Sequence, residues 1–299
     1  MDTDNESVER PLGRTVRVPV RRRAGALRRG SPVRGLASRW PKPMLRIIGV
    51  HRRLGGTTKA FLATAETPDG AELDVCVKPR GPGDIMLQEH HFSNWCGDVV
   101  GAALGLPQPE MYLVELEAGM LSQLGPDYAA VRPGPALATR FQDNALTLGL
   151  LGFIIEPALI DNGDADVATA VVLDTLFQKT DRGGDVLLVP VERGGVSRYK
   201  LCFIDGGWLV WFPFPHRSEP LELQTMTDPL LSRFARNSED FDPVLFSAEA
   251  LDHTMLQAFR RCPRAFRDPN GVSPRAVYWT LRARAARLRL AVHAAKAQP

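Results

Sequence analysis

Three side chains of types that handle phosphate groups are spread along this sequence. Lys78 ends the stretch ELDVCVK, Asp181 lies within LFQKTDRGGDVLLV, and Asp205 ends CFID just before two glycines. In phosphoryl transfer one carboxylate positions the attacking hydroxyl, another holds Mg²⁺ on the nucleotide phosphates, and a cation binds the phosphates themselves. The types of these residues and their order along the chain therefore fit phosphoryl transfer.

A pair of glycines precedes the lysine in the stretch RRLGGTTKAF. Gly55 and Gly56 lie between two β-type runs, and small residues there let backbone N–H groups approach an anion. Each feature also has an ordinary structural interpretation: a hairpin turn for the glycines, a solvent-facing strand residue for Lys78, and caps or turns for the aspartates. The order of glycine loop, strand lysine, helix and two Asp turns favours the functional interpretation.

The overall composition is that of an ordinary globular protein. The chain has 299 residues, of which 44% are apolar and 24% are charged, enough for one large or two medium domains. No apolar run approaches the roughly 20 residues of a bilayer-spanning helix. The four cysteines form no CxxC pair, so neither a zinc site nor a disulfide framework is indicated. We expect a cytoplasmic protein without a transmembrane segment.

The charge is distributed unevenly along the chain. Residues 10–53 contain fourteen Lys or Arg and no Asp or Glu, whereas from Glu66 onward there are 22 basic and 30 acidic residues. Residues 1–42 are rich in Arg, Gly, Pro and Ser, a composition typical of disordered arms. Because such arms can bind nucleic acid or anionic lipid, residues 10–53 are a candidate polyanion contact. A solvated tail without a partner is the alternative.

The part of the chain after Pro43 carries the signals of a β-sheet with one helix. A long run at 85–106, ended by glycine and proline, predicts a helix. In ELDVCVK, Lys78 lies on the strand face opposite Val75 and Val77. Short β-type runs separated by turn signals predict strands at 44–50, 60–66, 72–78, 111–116 and 136–141.

The second half of the chain is more helical. Helical spacing predicts a helix over 166–179 with Asp166 as a candidate N-cap, and VLLVPV and YKLCFID predict a strand pair joined by the turn ERGGVS. Ser273 followed by Pro274 predicts the start of a C-terminal helix. Strands with one helix, followed by a more helical half, indicate an α+β protein of two lobes.

The stretches VCVKP, ALGLPQPEMYLVEL, LFQKTDRGGDVLLV and YKLCFIDGGW resemble the HipA-like kinases, bacterial relatives of the protein and phosphoinositide kinases. Typical members carry a strand lysine, an ALGLPVP helix end, a GNTDRHPGNLL catalytic loop and a LIDHGHAF metal motif. The resemblance runs from about Gly55 to Trp208. It implies a two-lobed protein-kinase-like fold, with a β-rich N-lobe at 43–141 and a mainly helical C-lobe at 142–299.

The resemblance also implies a role for each matching position. Lys78 would bind phosphate, Asp181 would be the catalytic base or position the hydroxyl, and Asp205 would bind the metal. The implied cofactors are ATP and Mg²⁺. A phosphate loop and an adenine-contacting strand would complete the nucleotide site. Their residues here are Gly55, Gly56, Thr57, Thr58, Thr139 and Phe141.

Two departures from the family pattern concern the catalytic loop. The asparagine that binds metal in the family is missing, and the shorter loop offers Asp185 or Val186 in its place. Asp185 is the candidate ligand, because a carboxylate oxygen suits Mg²⁺ and a valine side chain does not. The asparagine expected two residues before the catalytic aspartate is Lys179.

The partner of the phosphate-binding lysine stays open between Glu89 and Asn94 on the predicted helix.

The expected function is that of an ATP-dependent kinase acting on a Ser or Thr of an unidentified protein. The departures leave a pseudokinase, or a nucleotide-binding partner module without turnover, as an alternative. A third possibility, from another class, is a nucleic-acid-associated module that acts through the basic arm.

Overall fold

Five strands after Pro43 close into a barrel. The computed structural model describes residues 43–54, 59–80, 85–151, 155–179, 182–205, 241–249, 252–267 and 272–296. The strands pair in the order β1-β2-β3-β5-β4, and a short parallel pairing of β1 with β4 closes the ring. All five predicted strands are present. They are Met44–Arg53 (β1), Phe61–Glu66 (β2), Glu72–Lys78 (β3), Met111–Leu116 (β4) and Gly134–Arg140 (β5).

Side chains on the two faces of the barrel strands belong to two different hydrophobic cores. On β3, Val75 and Val77 are fully buried in the barrel core, on the face predicted from the sequence. On β4, Val114 belongs to that core, whereas Met111 and Leu113 belong to a larger core formed with the helices of the second half. Successive side chains of a strand point to opposite faces, so one strand can serve both cores.

Helix α1, Ile85–Leu104, joins β3 to β4 along the chain but packs with the larger core. Its Trp95 is fully buried, and the indole Nε1 donates a hydrogen bond of 3.0 Å to the carbonyl of Ala258. Gly105 follows the helix with φ +81°, in the left-handed range that commonly ends a helix. The helix therefore ends where the sequence predicts, and it is anchored to the C-terminal helices.

A second sheet contains the hairpin that carries the acidic residues. Strands Leu146–Thr147 (β6), Val186–Arg193 (β7) and Val196–Phe203 (β8) pair in that order. Gly194 and Gly195 form the two-residue turn with φ +60° and +75°, the conformation that type I′ hairpins require. The predicted strand pair and its turn are confirmed.

The remaining helices are α2 (Ala118–Gln123), α3 (Leu148–Leu151), α4 (Gly163–Phe177), α5 (Phe241–Glu249), α6 (His253–Arg260) and α7 (Pro274–Lys296). Helix α7 starts where predicted, and the hydroxyl of Ser273 accepts a hydrogen bond of 3.2 Å from the N–H of Ala276. Its apolar stripe is buried. In the described ranges, none of the helices has the length and apolar character needed to cross a membrane.

Helix α4 begins earlier than the sequence predicts. It follows Asn162, whose side chain accepts from the N–H of Leu201 at 2.8 Å and donates to the carbonyl of Leu201 at 3.1 Å. Asp166 lies inside the helix, where it accepts a hydrogen bond from Asn162, and burial raises the pKa of Asp166 to about 6. The N-cap prediction for Asp166 is wrong, because the contact between Asn162 and β8 sets the start of the helix.

Candidate functional site

A cleft of about 700 Å³ lies between β3, β5 and the end of the β7–β8 hairpin. Five residues predicted as site residues line it together: Lys78, Thr139, Phe141, Asp185 and Asp205. They come from distant parts of the sequence, from Lys78 on β3 to Asp205 after β8. The fold therefore brings together the predicted phosphate-binding, adenine-contacting and metal-binding positions that the structure describes.

The register of the hairpin places the two aspartates side by side. Val186, the first residue of β7, pairs with Phe203, the last residue of β8. The N–H of Ile204 donates a hydrogen bond of 2.9 Å to the carbonyl of Asp185, which continues the pairing beyond the strands. Asp185 and Asp205 consequently flank the same end of the hairpin. Val186 is fully buried, so of the two alternatives at the missing asparagine only Asp185 reaches the cleft.

Asp205 adopts a left-handed backbone conformation with φ +50°. Asp and Asn are the residues that enter this region most readily apart from glycine. A turn of this kind directs the chain away from β8 immediately after Phe203. The choice of residue type at this position thus has a backbone reason as well as a chemical one.

Lys78 is bound to Asp205 by a direct ion pair. The Nζ atom of Lys78 lies 2.9 Å from Oδ2 of Asp205, and the two side chains are only 16% and 17% exposed. Helix α1 supports the pair from one side: Nε2 of His91 lies 2.8 Å from the carbonyl oxygen of Lys78, and Nε2 of His90 lies 3.5 Å from Oδ1 of Asp205. One strand, one helix and one hairpin therefore meet at a single carboxylate.

The surroundings of Asp205 favour its ionised form. Burial acts to raise the pKa of this carboxyl, but the charge of Lys78 and the ring of His90 outweigh burial and hold the pKa well below its usual range. Oδ1 is buried and accepts no hydrogen bond from the described residues, although Nε2 of His90 lies 3.5 Å from it. The site thus contains a carboxylate oxygen that is charged, buried and available.

Asp185 forms an ion pair with a second lysine, Lys179. Nζ of Lys179 lies 2.6 Å from Oδ2 of Asp185, and the Lys179 side chain is 0% exposed. Burial raises the pKa of Asp185, and the nearby charge of Asp205 adds to this, whereas Lys179 opposes it. Asp185 and Asp205 both line the cleft at the same end of the hairpin, so the charge of each acts on the other.

A third ion pair fixes the loop between α4 and β7. Arg182 is fully buried, and its Nε lies 2.9 and 3.1 Å from the two carboxylate oxygens of Asp174 on α4. Nη1 of Arg182 also donates a hydrogen bond of 2.8 Å to the carbonyl of Ile204. Burial alone would lower the pKa of Arg182, but the carboxylate of Asp174 raises it above its usual value. The guanidinium ties helix α4 to the residue that precedes Asp205.

Several predicted positions lie outside the described residues. They are the proposed catalytic residue Asp181 and the phosphate-loop residues Gly55, Gly56, Thr57 and Thr58, together with the arm at 1–42. Their neighbours are described: Leu54 and Ala60 line the cleft on either side of the loop, and Arg182 follows Asp181 directly.

The two residues considered as partners of Lys78 have different outcomes. The side chain of Glu89 is not among those described. Asn94 lines the cleft, but its Nδ2 donates a hydrogen bond of 3.0 Å to the carbonyl of His90 within the same helix. The described partner of Lys78 is Asp205 instead.

Sequence reasoning assigned no role to five polar residues around the site, one of which, Lys179, it noted only as a departure from the family pattern. One signal was available for two of them: Asp174 interrupts the otherwise apolar run AVVLDTLF, and a charge within a buried helix requires a partner such as Arg182. No local signal marks the others, because their contacts join distant parts of the chain. The five are His90, His91, Asp174, Lys179 and Arg182.

The donor set fits a magnesium ion bound together with nucleotide phosphates. Mg²⁺ is usually held by one or two carboxylates, with water and phosphate oxygens completing its shell. Asp205 supplies a buried carboxylate oxygen without a hydrogen-bond donor, and Asp185 supplies a second carboxylate at the same hairpin end. Within the described part of the chain, no group of three or more His, Cys, Asp or Glu forms a metal cage. The residues therefore fit an ion that shares its ligands with a substrate.

The fold is similar to that of known structures. A structure of hydra Fam20 with sugar matches with a TM-score of 0.51 and 12% identity, over 84% of this chain and 85% of that one. This likeness shows that the chain has a kinase-like fold. A structure of the Golgi casein kinase with Mn/ADP bound has a TM-score of 0.46 and 9% identity, over 87% and 75% of the two chains. No family model and no curated protein matches the sequence.

Proposed function

We propose that this chain is a HipA-like, ATP-dependent kinase of the cytoplasm that transfers the γ-phosphate of ATP to a Ser or Thr of a protein. The observation that carries the proposal is the ion pair of Lys78 with Asp205 in a cleft that Asp185 also lines. A cation and two acidic residues are the groups that phosphoryl transfer requires. The kinase-like fold supports the same assignment.

The proposed lobes are an N-lobe at 43–141, preceded by a basic arm at 1–42, and a C-lobe at 142–299. Support comes from the two hydrophobic cores, one within the barrel and one among the helices of the second half. Helix α1 belongs to the N-lobe by chain order but packs with the larger core. This packing would couple α1, and with it His90 and His91, to the C-lobe.

In the proposed nucleotide site, Thr139 and Phe141 would contact the adenine, and residues 55–58 would supply backbone N–H groups to the phosphates. Lys78 binds the phosphates with its ammonium group. Lys78 is paired with Asp205 in the structure, so its ammonium would exchange this carboxylate for a phosphate group as it binds the nucleotide. Both side chains keep a charged partner throughout, which limits the cost of the exchange.

Asp205 and Asp185 would hold Mg²⁺, which supplies positive charge to the nucleotide phosphates. Asp181 would accept the proton of the substrate hydroxyl, and the next residue, Arg182, is fixed by its buried pair with Asp174. His90 and His91 orient Asp205 and the end of β3. Each catalytic role thus has a group that positions it.

The first test is nucleotide binding. ADP with Mn²⁺ or Mg²⁺ should raise the melting temperature, because a ligand that binds only the native state stabilises it. Asp205→Asn should remove the part of this shift that depends on the divalent ion. Asparagine tolerates the left-handed backbone at this position, whereas alanine would add strain. Asp242→Asn, at an exposed site on α5, is the matched control. An unchanged metal-dependent shift in Asp205→Asn would disprove the metal assignment.

The second test is transfer itself, measured with [γ-³²P]ATP and dephosphorylated casein as a generic acceptor. Asp181→Asn should lower the transfer rate by roughly 100-fold or more and leave ADP affinity unchanged, because general base catalysis contributes to the rate rather than to binding. Nucleotide binding without any transfer by the wild-type chain would instead indicate a pseudokinase. The absence of both family asparagines, where this chain has Lys179 and Asp185, favours that second candidate.

A further inference from the structure

Lys179 is a charged residue enclosed by the wall of the cleft. Its side chain is 0% exposed, and its Nζ lies 2.6 Å from Oδ2 of Asp185. The backbone fixes its place: Gln178 ends α4 in the left-handed conformation with φ +60°, and the N–H of Lys179 donates a hydrogen bond of 2.8 Å to the carbonyl of Asp174. The ammonium group is therefore buried and held by the fold.

Three acidic residues in and around the hairpin end of the cleft are each paired with a cation. In the described part of the chain Asp174 is paired with Arg182, Asp185 with Lys179, and Asp205 with Lys78. Only the last pair has a cation that is partly exposed to the cleft, since Lys78 is 16% exposed whereas Lys179 and Arg182 are 0% and 1% exposed. A phosphate entering the cleft can therefore draw Lys78 away from its carboxylate but cannot do so to Lys179.

We infer that Lys179 is a fixed counter-cation for Asp185, so that the cleft takes a nucleoside di- or triphosphate with a single divalent cation centred on Asp205. The inference rests on the proposed nucleotide-binding function. A second divalent cation on Asp185 would lie within a few ångström of an ammonium group that cannot withdraw, and like charges repel strongly in a partly buried site. Asp185 can still give its other oxygen to the ion on Asp205.

The decisive measurement is the number of Mn²⁺ ions bound per chain at saturating ADP, determined by electron paramagnetic resonance of free Mn²⁺. Wild type should bind one ion. Lys179→Gln should bind two, because Asp185 then has a negative charge with no lysine beside it. Lys200→Gln, which changes an exposed lysine on β8, should bind one. Two ions in the wild type, or one in a folded Lys179→Gln variant, would overturn the inference.

Asp185→Asn provides a test that does not depend on the folding of Lys179→Gln. The variant should still bind one Mn²⁺, but roughly tenfold more weakly, because the carboxylate of Asp185 no longer offsets the ammonium of Lys179 next to the ion. The double variant Lys179→Gln/Asp185→Asn removes both charges and should bind Mn²⁺ within about threefold of wild type. If Asp185 served only as a metal ligand, the double variant would bind as weakly as Asp185→Asn, and Lys179 would have no such role.

The outcomes separate this inference from the proposed function. If wild type binds no ADP in the presence of Mn²⁺, the proposed function fails and the inference fails with it. If wild type binds ADP together with two Mn²⁺ ions, the proposed nucleotide site stands and only the role of Lys179 is wrong. One ion in wild type and two in Lys179→Gln support both.

Discussion

At the scale of single residues, the site is organised around one carboxylate. Asp205 has Lys78 on one oxygen and His90 near the other, and its left-handed backbone places it at the end of β8. Removing any of these partners changes a buried charge, and buried charges are costly when they are left unpaired. Lys78 is the most informative residue to change, because it also has the proposed contact with phosphate.

Lys78→Met keeps the length and the apolar stem of the side chain but removes its charge. We expect ADP affinity to fall by roughly tenfold or more, since a charge-assisted contact contributes about 1.5–3 kcal/mol. We also expect the free energy of unfolding to fall by about 1–3 kcal/mol at pH 7, because Asp205 loses its partner. Calorimetric titration with ADP and urea unfolding measure the two effects, with the exposed Lys200→Met as control.

The pH dependence of this variant identifies the cause of its instability. The pKa of Asp205 is depressed in the folded state, so the ion pair stabilises the protein above the unfolded pKa of about 3.9 and loses that effect as pH falls further. The stability difference between wild type and Lys78→Met should therefore be constant from pH 7 to about 5 and narrow below about 4. A difference independent of pH would indicate lost packing rather than a lost charge.

At the scale of secondary-structure elements, buried polar residues join helix α4 to the β7–β8 hairpin. Arg182 bonds Asp174 on the helix and the carbonyl of Ile204 after the hairpin. Asn162, before the helix, bonds both backbone groups of Leu201 on β8. These contacts join helix α4 to the hairpin at two points, and each can be tested separately.

Arg182→Met retains an apolar stem but leaves Asp174 as a buried carboxylate without its cation. Breaking a buried pair by removing one partner costs about 3–5 kcal/mol, so we expect a loss of that size in the free energy of unfolding. Arg193→Met removes an arginine that is 68% exposed and paired at 3.4 Å, and should change stability by less than about 1 kcal/mol. Equal effects of the two substitutions in urea unfolding would contradict the assigned role of Arg182.

Asp166→Asn should stabilise the protein at neutral pH. Burial raises the pKa of Asp166 to about 6, so wild type loses stability as pH rises from the unfolded pKa of about 3.9 to about 6. Asparagine stays neutral and can still accept a hydrogen bond from Asn162. We expect the variant to be about 1–2 kcal/mol more stable at pH 8 after allowance for solvent screening, and nearly equal to wild type at pH 4. Thermal unfolding at both pH values measures this, with Asp242→Asn as control.

At the scale of the whole molecule, β1 is the first segment along the chain that contributes to the hydrophobic cores of the described residues. The basic stretch at 10–53 reaches into this strand, where Arg46 is paired with Glu66 and Arg53 with Asp127. These two arginines thus have partners within the folded part of the chain. Any separate polyanion-binding role is proposed for the arm at 1–42, which contains eleven of the fourteen basic residues of the stretch.

Deleting residues 1–42 should leave the melting temperature nearly unchanged, because a polar, Arg-rich segment buries little apolar surface. If the arm binds polyanions, the full chain should bind single- or double-stranded DNA with an affinity that falls steeply as salt rises, and the shortened chain should not. ADP binding should be equal in both. A large loss of thermal stability on deletion would show that the arm packs on the folded chain.

The sequence by itself determined the local elements and the types of the site residues. The alternation of β3, the turn at Gly194 and Gly195, and the cap at Ser273 each depend on neighbouring residues, and all three are present in the structure. Lys78, Asp185 and Asp205 were identified because phosphate and metal chemistry requires their side-chain types. The start of α4 was predicted wrongly, since it depends on a contact with β8.

Only the tertiary structure decided which charges meet. The pairing of Lys78 with Asp205 joins residues far apart in the sequence, and so does the parallel contact of β1 with β4 that closes the barrel. Lys179 and Arg182 look like ordinary loop cations in the sequence, yet both are buried against carboxylates. Local periodicity reports which face of an element is apolar, whereas the partner of a buried charge depends on the path of the whole chain.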